Sequence, residues 1–249
     1  MMFAMEIIKT DTPSNGLRTA KNTTFYIEVL FGTLFQIIVF TVLLLVPART
    51  WNWTDAIVLI SVYSIISFIV VISLAIYKPR ALKTRMTGAR YIQAIREGIV
   101  APILFATIIL SIVLNPLDVF YFHFLPAPSV AIKYLGMFLF ITGYALIGMT
   151  IAQNEFATPT ILDVSERHQE LVDTGFYAWI RHPMYTGIMV WMVGTGLWLE
   201  SYAAALLTSF LCPLFFFRIR TEENILNEKL PGYEKYILKV KYRLFPYIW

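Results

Sequence analysis

The feature that most constrains the fold of this chain is a series of long apolar runs. Four of them cover Thr24–Val46, Ala56–Tyr77, Ile99–Leu114 and Val130–Ala152, and a longer block covers Met184–Phe217. A helix needs about 20 predominantly apolar residues to cross the hydrocarbon of a bilayer. The four runs approach that length, so each is predicted to form a membrane helix.

The last apolar block is too long for one crossing and contains Glu200-Ser201 near its middle, which predicts a helical hairpin that turns there. Hydrophobic residues make up 58% of the chain and charged residues 14%, against about 45–50% and about 25% in soluble proteins. This composition excludes a soluble enzyme, a disordered protein and a typical nucleic-acid binder. We predict an all-α fold, a polytopic membrane helical bundle of about six transmembrane helices with a cytoplasmic C-terminal helical segment.

The distribution of Lys and Arg supports this topology. Six of them follow the second apolar run, none lies in 116–128, none lies at the Glu200 turn, and seven follow Phe217. Basic residues collect on the cytoplasmic side of membrane proteins, so both termini are expected to be cytoplasmic. The net charge of +4 has the same explanation. We therefore expect the lipid bilayer as a partner and no nucleic acid.

The remaining composition narrows the chemistry. The single cysteine, Cys212, excludes an intrachain disulfide, and the three histidines lie at no spacing typical of metal ligands, so no metal is expected. Residues 1–130 are apolar runs and a basic loop, whereas nearly all conspicuous polar motifs lie after residue 152. We therefore predict an N-terminal membrane region, 1–130, and a functional core, 131–249.

The first polar motif, residues 171–187, ends in Arg181-His182-Pro183 directly before an apolar helix. Proline suits the first helical position, and the N–H groups of Met184 and Tyr185 would then point out of the helix start. Such a helix start can seat a carboxylate or a phosphate. The alternative is a helix cap at the membrane interface, with Arg181 extending to lipid headgroups.

The second polar motif is Arg-Ile-x-x-Glu-Glu at 218–223, which follows three phenylalanines. Arg218 and Glu222 share one helix face, so they could form an ordinary ion pair or mark a functional cavity at membrane depth. The basic and aromatic residues at 230–249 predict a segment that lies on the membrane surface.

Taken together, these motifs resemble the isoprenylcysteine carboxyl methyltransferase family and the wider group that includes phospholipid N-methyltransferases. The resemblance rests on Leu-Val-x-x-Gly-x-Tyr-x-x-x-Arg-His-Pro-x-Tyr-x-Gly at 171–187 and Arg-Ile-x-x-Glu-Glu at 218–223. Gly-Tyr-x-x-Tyr at 232–236 and Arg-Leu-x-Pro at 243–246 complete it. It covers about the last 100 residues and implies S-adenosylmethionine as cofactor.

The resemblance also implies a set of site residues. Arg218 occupies the position of a substrate-contacting arginine, and Arg218 and Tyr185 are the expected catalytic residues. The implied cofactor contacts are Gln169, Glu170, Leu171, Val172, Tyr177, His182, Pro183, Met184, Tyr185 and Glu222. The chain departs from the family pattern at Val164, where a Gln is frequent, and at Gln169, where a His is frequent.

The expected reaction is methyl transfer to a lipophilic acceptor, either the carboxylate of a prenylated cysteine or the amine of a phospholipid. A carboxylate needs no general base, whereas an amine must lose a proton, which Glu223 or Tyr185 could accept. Two other classes stay open: a membrane reductase that uses a nicotinamide cofactor, because sterol reductases have a similar element, and a non-catalytic membrane protein. Binding of S-adenosylhomocysteine or of NADPH would separate the three classes.

Overall fold

The computed structural model describes residues 15–86, 100–156 and 170–249, with side chains described for 23–83, 102–156 and 170–249. Throughout these ranges the regular elements are helices, which confirms the all-α prediction. They are α1 (Asn15–Ala48), α2 (Thr54–Tyr77), α3 (Pro79–Met86), α4 (Val100–Leu117), α5 (Val130–Gln153), α6 (Pro183–Trp198), α7 (Tyr202–Leu207), α8 (Leu211–Lys229) and α9 (Tyr233–Lys239). Short π-helical or 3-10 turns cover Asp118–Phe122, Gly175–Ala178 and Thr208–Phe210.

Within the described ranges, five segments are long and apolar enough to cross a membrane. They are Thr23–Ala48, Thr54–Tyr77, Pro102–Phe122, Val130–Gln153 and Tyr202–Lys229. The remaining predicted crossing is the first arm of the hairpin, helix α6. Its 16 residues span about 24 Å and fall short of a hydrocarbon core of about 30 Å. Over the described residues, the protein is a multi-pass membrane bundle of five full-length helices and one short helix.

The third membrane helix does not stop at Asn115-Pro116, as its sequence predicts, but continues through Pro116 into the π-helical turn. Proline has no N–H, so a helix that includes it leaves the carbonyl four residues earlier without its usual donor. Here that carbonyl belongs to Ile112, and the side-chain amide of Asn115 donates to it at 3.2 Å and to Ser111 O at 2.8 Å. The buried amide replaces the missing backbone donor and allows the helix to continue.

We expect Asn115→Leu to destabilise the protein by about 1–3 kcal/mol, the cost of leaving a buried carbonyl without a donor. The second substitution Pro116→Ala is expected to recover most of this loss, because alanine supplies an N–H to Ile112 O. Thermal unfolding of the purified protein measures both changes. An Asn115→Leu variant as stable as the parent would show that the side-chain amide does not compensate for the proline.

Helices α5 and α6 pack closely through glycines. A Cβ built on Gly143 would overlap the backbone of Trp191, and one on Gly194 would overlap the backbone of Phe140. Such small residues let membrane helices approach backbone to backbone. Gly148 instead faces the side chain of Val70 on α2, where a Cβ would lie 2.7 Å from Val70 Cγ1. The close packing fixes the position of α6 along α5.

The predicted hairpin turn is confirmed at Glu200, which has a left-handed backbone (φ 66°) between α6 and α7. Ser201 caps α7 by accepting a hydrogen bond from Ala204 N at 3.0 Å. At this end of the bundle, Lys133 at the start of α5 lies 2.9 Å from Glu200 and 2.8 Å from Asp55. The conspicuous motifs therefore lie at the opposite end, where α5 ends, α6 begins and α8 ends.

Candidate functional site

The start of helix α6 is built as the sequence predicts, with His182 as N-cap residue and Pro183 at the first helical position. One expectation is wrong: Tyr185 N–H does not point freely outward but donates to His182 O at 3.2 Å. In this tight first turn, the Tyr185 N–H is already occupied by a hydrogen bond within the helix. An anion seat made of the Met184 and Tyr185 N–H groups together is therefore not present.

Tyr185 connects two charged residues of helix α8. Its hydroxyl donates to Glu222 Oε2 at 2.7 Å and accepts from Arg218 Nε at 3.0 Å. Arg218 and Tyr185 are 3% and 2% exposed, so both lie inside the protein, and the Tyr185 ring stacks on Phe215. The Arg218–Glu222 relation is thus more than a surface ion pair, because a buried phenol on another helix joins the two side chains.

The neighbouring carboxylate, Glu223, is buried and surrounded by three cationic or potentially cationic groups. Its Oε1 lies 3.1 Å from Arg181 Nη1 and 3.2 Å from His182 Nε2, and its Oε2 lies 2.9 Å from Arg243 Nε. Buried charges are tolerated when they are paired and hydrogen-bonded, as they are here. This cluster joins α8, the start of α6 and the C-terminal segment.

Residues 240–249, which we call the C-terminal strap, run along the start of α6. Backbone N–H groups of Arg181 and His182 donate to Tyr242 O and Arg243 O, both at 2.9 Å. Thr186 Oγ1 donates to Leu244 O at 2.7 Å. These backbone and side-chain bonds hold the strap against the Arg-His-Pro motif.

A pocket opens where these elements meet. Its cavity volume is about 70 Å³. It is lined by Asn154, Phe156, Glu170, Leu171, Val172, Tyr177, Arg181, His182, Met184, Tyr185, Glu222, Leu226, Leu230, Tyr233 and Tyr236. The lining combines carboxylates, a basic motif and tyrosine rings with aliphatic side chains.

Two tyrosines of helix α9 form part of this lining. Burial raises the pKa of Tyr233, and the nearby Glu223 and Glu222 carboxylates raise it further. Burial also raises the pKa of Tyr236, whose hydroxyl donates to Tyr177 O at 2.8 Å. Both phenols therefore stay protonated over the physiological pH range and act as neutral hydrogen-bonding groups and aromatic surfaces.

The structure brings most of the predicted cofactor residues into this one pocket. Those that line it are Glu170, Leu171, Val172, Tyr177, His182, Met184, Tyr185 and Glu222. Pro183 is buried at the helix start without lining the pocket, and Arg218 lies behind Tyr185. Gln169, together with Val164, falls outside the described residues.

Several lining residues are not among the predicted cofactor contacts. Tyr233 and Tyr236 belong to the Gly-Tyr-x-x-Tyr motif, but the basic and aromatic residues around them predict a segment on the membrane surface. The alternative in which Arg181 extends to lipid headgroups is not what the structure shows, because Arg181 is buried and lies 3.1 Å from Glu223. Asn154 and Phe156, at the end of α5, carry no motif that could have identified them.

Comparisons with known proteins show similarity to one family of membrane methyltransferases. Residues 134–228 match the model of the isoprenylcysteine carboxyl methyltransferase family. The protein-S-isoprenylcysteine O-methyltransferase of Schizosaccharomyces pombe is 40% identical over 80 residues, covering 30% of this chain and 34% of that protein. The protein of the same name from Saccharomyces cerevisiae is 37% identical over 97 residues, covering 38% of this chain and 40% of that protein.

A third relative of that name, from Rattus norvegicus, is 36% identical over 91 residues, covering 36% of this chain and 31% of that protein. The matched segment thus spans about a third of the length of these relatives. The solved structure of a eukaryotic intramembrane Ras methyltransferase, isoprenylcysteine carboxyl methyltransferase, superposes with a TM-score of 0.52 at 19% identity, covering 94% of this chain and 87% of that one. The resemblance to the isoprenylcysteine carboxyl methyltransferase family is therefore confirmed, in sequence over residues 134–228 and in fold over most of the chain.

Proposed function

We propose that this protein is a membrane methyltransferase that uses S-adenosylmethionine to methylate the carboxylate of a lipophilic acceptor, most concretely a prenylated cysteine. The relatives are named for O-methylation of a protein-S-isoprenylcysteine, and the family model covers the segment that contains Arg218, Glu222 and the start of α6. The observation that carries the proposal is the Tyr185 hydroxyl, which bonds pocket-lining Glu222 on one side and buried Arg218 on the other. The Tyr185 side chain would thus contact both the pocket that binds the methyl donor and the cation that binds the acceptor.

The donor set of the pocket fits S-adenosylmethionine. This cofactor carries a cationic sulfonium and an amine, for which carboxylates and the faces of tyrosine rings are suitable partners. Glu222, Glu170, Tyr233 and Tyr236 offer these groups, and His182 offers a partner to a carboxylate. Bound there, the cofactor would supply a methyl group that is already electrophilic. The protein then has mainly to hold donor and acceptor in line.

A carboxylate acceptor agrees better with the geometry than an amine does. An amine needs a proton acceptor, and the sequence offers Glu223 or Tyr185 for this role. Glu223 is paired with Arg181, His182 and Arg243, and the Tyr185 hydroxyl already donates a hydrogen bond to Glu222. A carboxylate acceptor requires only orientation, which a buried guanidinium such as that of Arg218 can provide through two parallel hydrogen bonds.

The acceptor's apolar part has a suitable place in the membrane region. A groove of about 670 Å³ lies between α1, α2 and α5 and is lined mostly by apolar side chains, among them Val70, Ile147 and Ile151. Ile147 also packs against the cluster that contains Met184 and Tyr185. Tyr144, Ile147 and Ile151 of the groove share one face of α5 with Asn154 of the cofactor pocket, because they are three or four residues apart. The groove thus lies along the helix that leads to the cofactor pocket, which supports a lipophilic acceptor.

We further propose that the site and both termini face the cytoplasm, where the basic loops are predicted to lie. The decisive experiment is calorimetric titration of the purified protein with S-adenosylhomocysteine and with NADPH, combined with radiolabelled methyl transfer to a prenylated cysteine and to an aminolipid. S-adenosylhomocysteine binding and labelling of the prenylated cysteine are expected. Binding of NADPH alone would favour a reductase, and binding of neither ligand would favour a non-catalytic protein.

Filling the groove should weaken acceptor binding selectively. Gly32 on α1 lines the groove, and a Cβ built there meets nothing within 4 Å. Gly32→Trp is expected to raise the KM for the prenylated acceptor about tenfold, because excluding two methylene groups costs about 0.8 kcal/mol each. S-adenosylhomocysteine affinity should not change.

The matched control is Leu34→Trp, on the same helix at a position that is 43% exposed and does not line the groove. Steady-state kinetics over a range of acceptor concentrations, with titration of the cofactor analogue, measure both effects. Equal KM values for the two variants would place the acceptor's apolar part elsewhere.

A further inference from the structure

Glu222 and Glu223 are adjacent in sequence but face different surroundings. Glu222 lines the pocket, whereas neither Glu223 nor Arg243 is among the pocket-lining residues. Glu223 nevertheless contacts two side chains that do line the pocket, those of Arg181 and His182. Arg243 contacts the same carboxylate from the opposite side. We propose that Arg243 is a positioning residue for the cofactor pocket, acting through Glu223 on Arg181 and His182.

The two oxygens of Glu223 have separate partners, so the Glu223 carboxylate links Arg243 on one oxygen to Arg181 and His182 on the other. Oε1 serves both Arg181 and His182, and Oε2 lies 2.9 Å from Arg243 Nε. A carboxylate is planar and rigid, so holding Oε2 in place also fixes the position of Oε1. Removal of the Arg243 guanidinium would allow the carboxylate to rotate, and the two pocket-lining side chains would lose their fixed acceptor.

Arg243 is itself held in place by aromatic residues. Its guanidinium carbon lies 5.1 Å from the centre of the Trp249 ring, and that ring stacks on Phe216 of α8 at 5.2 Å between centroids. A cation over an indole face is a favourable arrangement. The guanidinium therefore stands between an aromatic face and a buried carboxylate, and its planar shape suits both contacts in a way that a lysine ammonium does not.

The backbone bonds of the strap do not depend on this side chain. His182 N–H donates to the carbonyl of residue 243, and Arg181 Nη2 donates to the carbonyl of Lys241. A substitution of the Arg243 side chain therefore leaves the strap's main-chain contacts in place and tests the contact to Glu223. The inference rests on the proposed function, because it assumes that the pocket binds S-adenosylmethionine.

The test is calorimetric titration of the full chain with S-adenosylhomocysteine, for Arg243→Gln, Glu223→Gln and the double variant. Arg243→Gln is expected to raise the dissociation constant at least fivefold, and to raise the KM for the donor more than it lowers kcat at saturation. If Arg243 acts through Glu223, the double variant should bind within twofold of Glu223→Gln alone, since directly coupled residues are not additive.

Arg220→Gln is the matched control, because Arg220 also lies over an aromatic ring, that of Phe216 at 4.7 Å, but is exposed and outside the pocket lining. Its dissociation constant should equal that of the parent protein. Arg243→Lys is a milder second variant if Arg243→Gln does not fold, and it should raise the dissociation constant two- to fivefold.

Additive effects of the two substitutions would overturn the inference. So would a lower melting temperature with an unchanged dissociation constant, because Arg243 would then serve stability alone. Failure of the parent protein to bind S-adenosylhomocysteine would instead refute the proposed function. The two failures are therefore distinguishable in the same experiment.

Discussion

Arg218→Lys is expected to lower kcat/KM for the acceptor at least tenfold, while the affinity for S-adenosylhomocysteine changes less than about threefold. A tenfold loss corresponds to about 1.4 kcal/mol of transition-state stabilisation. The Arg218 Nε–H group donates to the Tyr185 hydroxyl at 3.0 Å, and the guanidinium is only 3% exposed. Lysine keeps the charge but cannot hold the phenol and a planar acceptor carboxylate in the same fixed geometry.

The measurement is radiolabelled methyl transfer over a range of prenylated cysteine concentrations, with calorimetry of the cofactor analogue on the same preparations. Arg220→Lys, on the same helix but exposed, is the matched control and should retain parental kinetics. A surface i,i+4 ion pair is worth only about 0.3–0.5 kcal/mol. A loss of kcat/KM of that size in Arg218→Lys would therefore indicate that Arg218 only pairs with Glu222. A parallel loss of cofactor affinity would assign it to the donor side of the site.

The membrane helices were predictable because their signals are local. Apolar length and flanking charge located α2 and α5 to within two residues at each end, and Glu200-Ser201 identified the turn of the hairpin. The continuation of α4 through Pro116 was not predictable in this way. It depends on a rotamer of Asn115 that brings its amide to Ile112 O, and proline alone signals the end of a helix.

The candidate site was predictable in its residues but less so in its connections. The Arg-His-Pro and Glu-Glu motifs identified side chains that the structure brings together, yet the spacing within α8 predicts only that Arg218 and Glu222 share a helix face. Tyr185, which bridges them, lies 33 residues from Arg218 along the chain. Likewise, Glu223 meets His182 across 41 residues and Arg243 across 20. Helix periodicity cannot predict contacts that depend on how separate helices and the strap pack.

Glu222→Gln is expected to weaken S-adenosylhomocysteine binding by about ten- to a hundredfold. Glu222 lines the pocket, is half-buried and accepts a hydrogen bond from the Tyr185 hydroxyl through Oε2 at 2.7 Å. This bond fixes the orientation of the carboxylate and therefore the position of its other oxygen, Oε1. A hydrogen bond to a charged group is worth about 1.5–3 kcal/mol, which corresponds to that range of affinities. Glutamine keeps the size of the side chain and an acceptor oxygen but removes the charge that a cofactor amine requires.

Calorimetric titration of the purified variant measures this loss, and Glu228→Gln provides the matched control, since Glu228 lies on the same helix but is exposed and outside the pocket lining. Both substitutions remove one negative charge from α8, so a general electrostatic effect would weaken binding equally in the two variants. A specific contact weakens binding only at residue 222. Because the glutamine Oε1 can still accept the hydrogen bond from the Tyr185 hydroxyl, the Arg218 contact should be preserved. Acceptor KM is therefore expected to change less than donor affinity, and unchanged donor affinity in a folded Glu222→Gln protein would remove this carboxylate from the cofactor site.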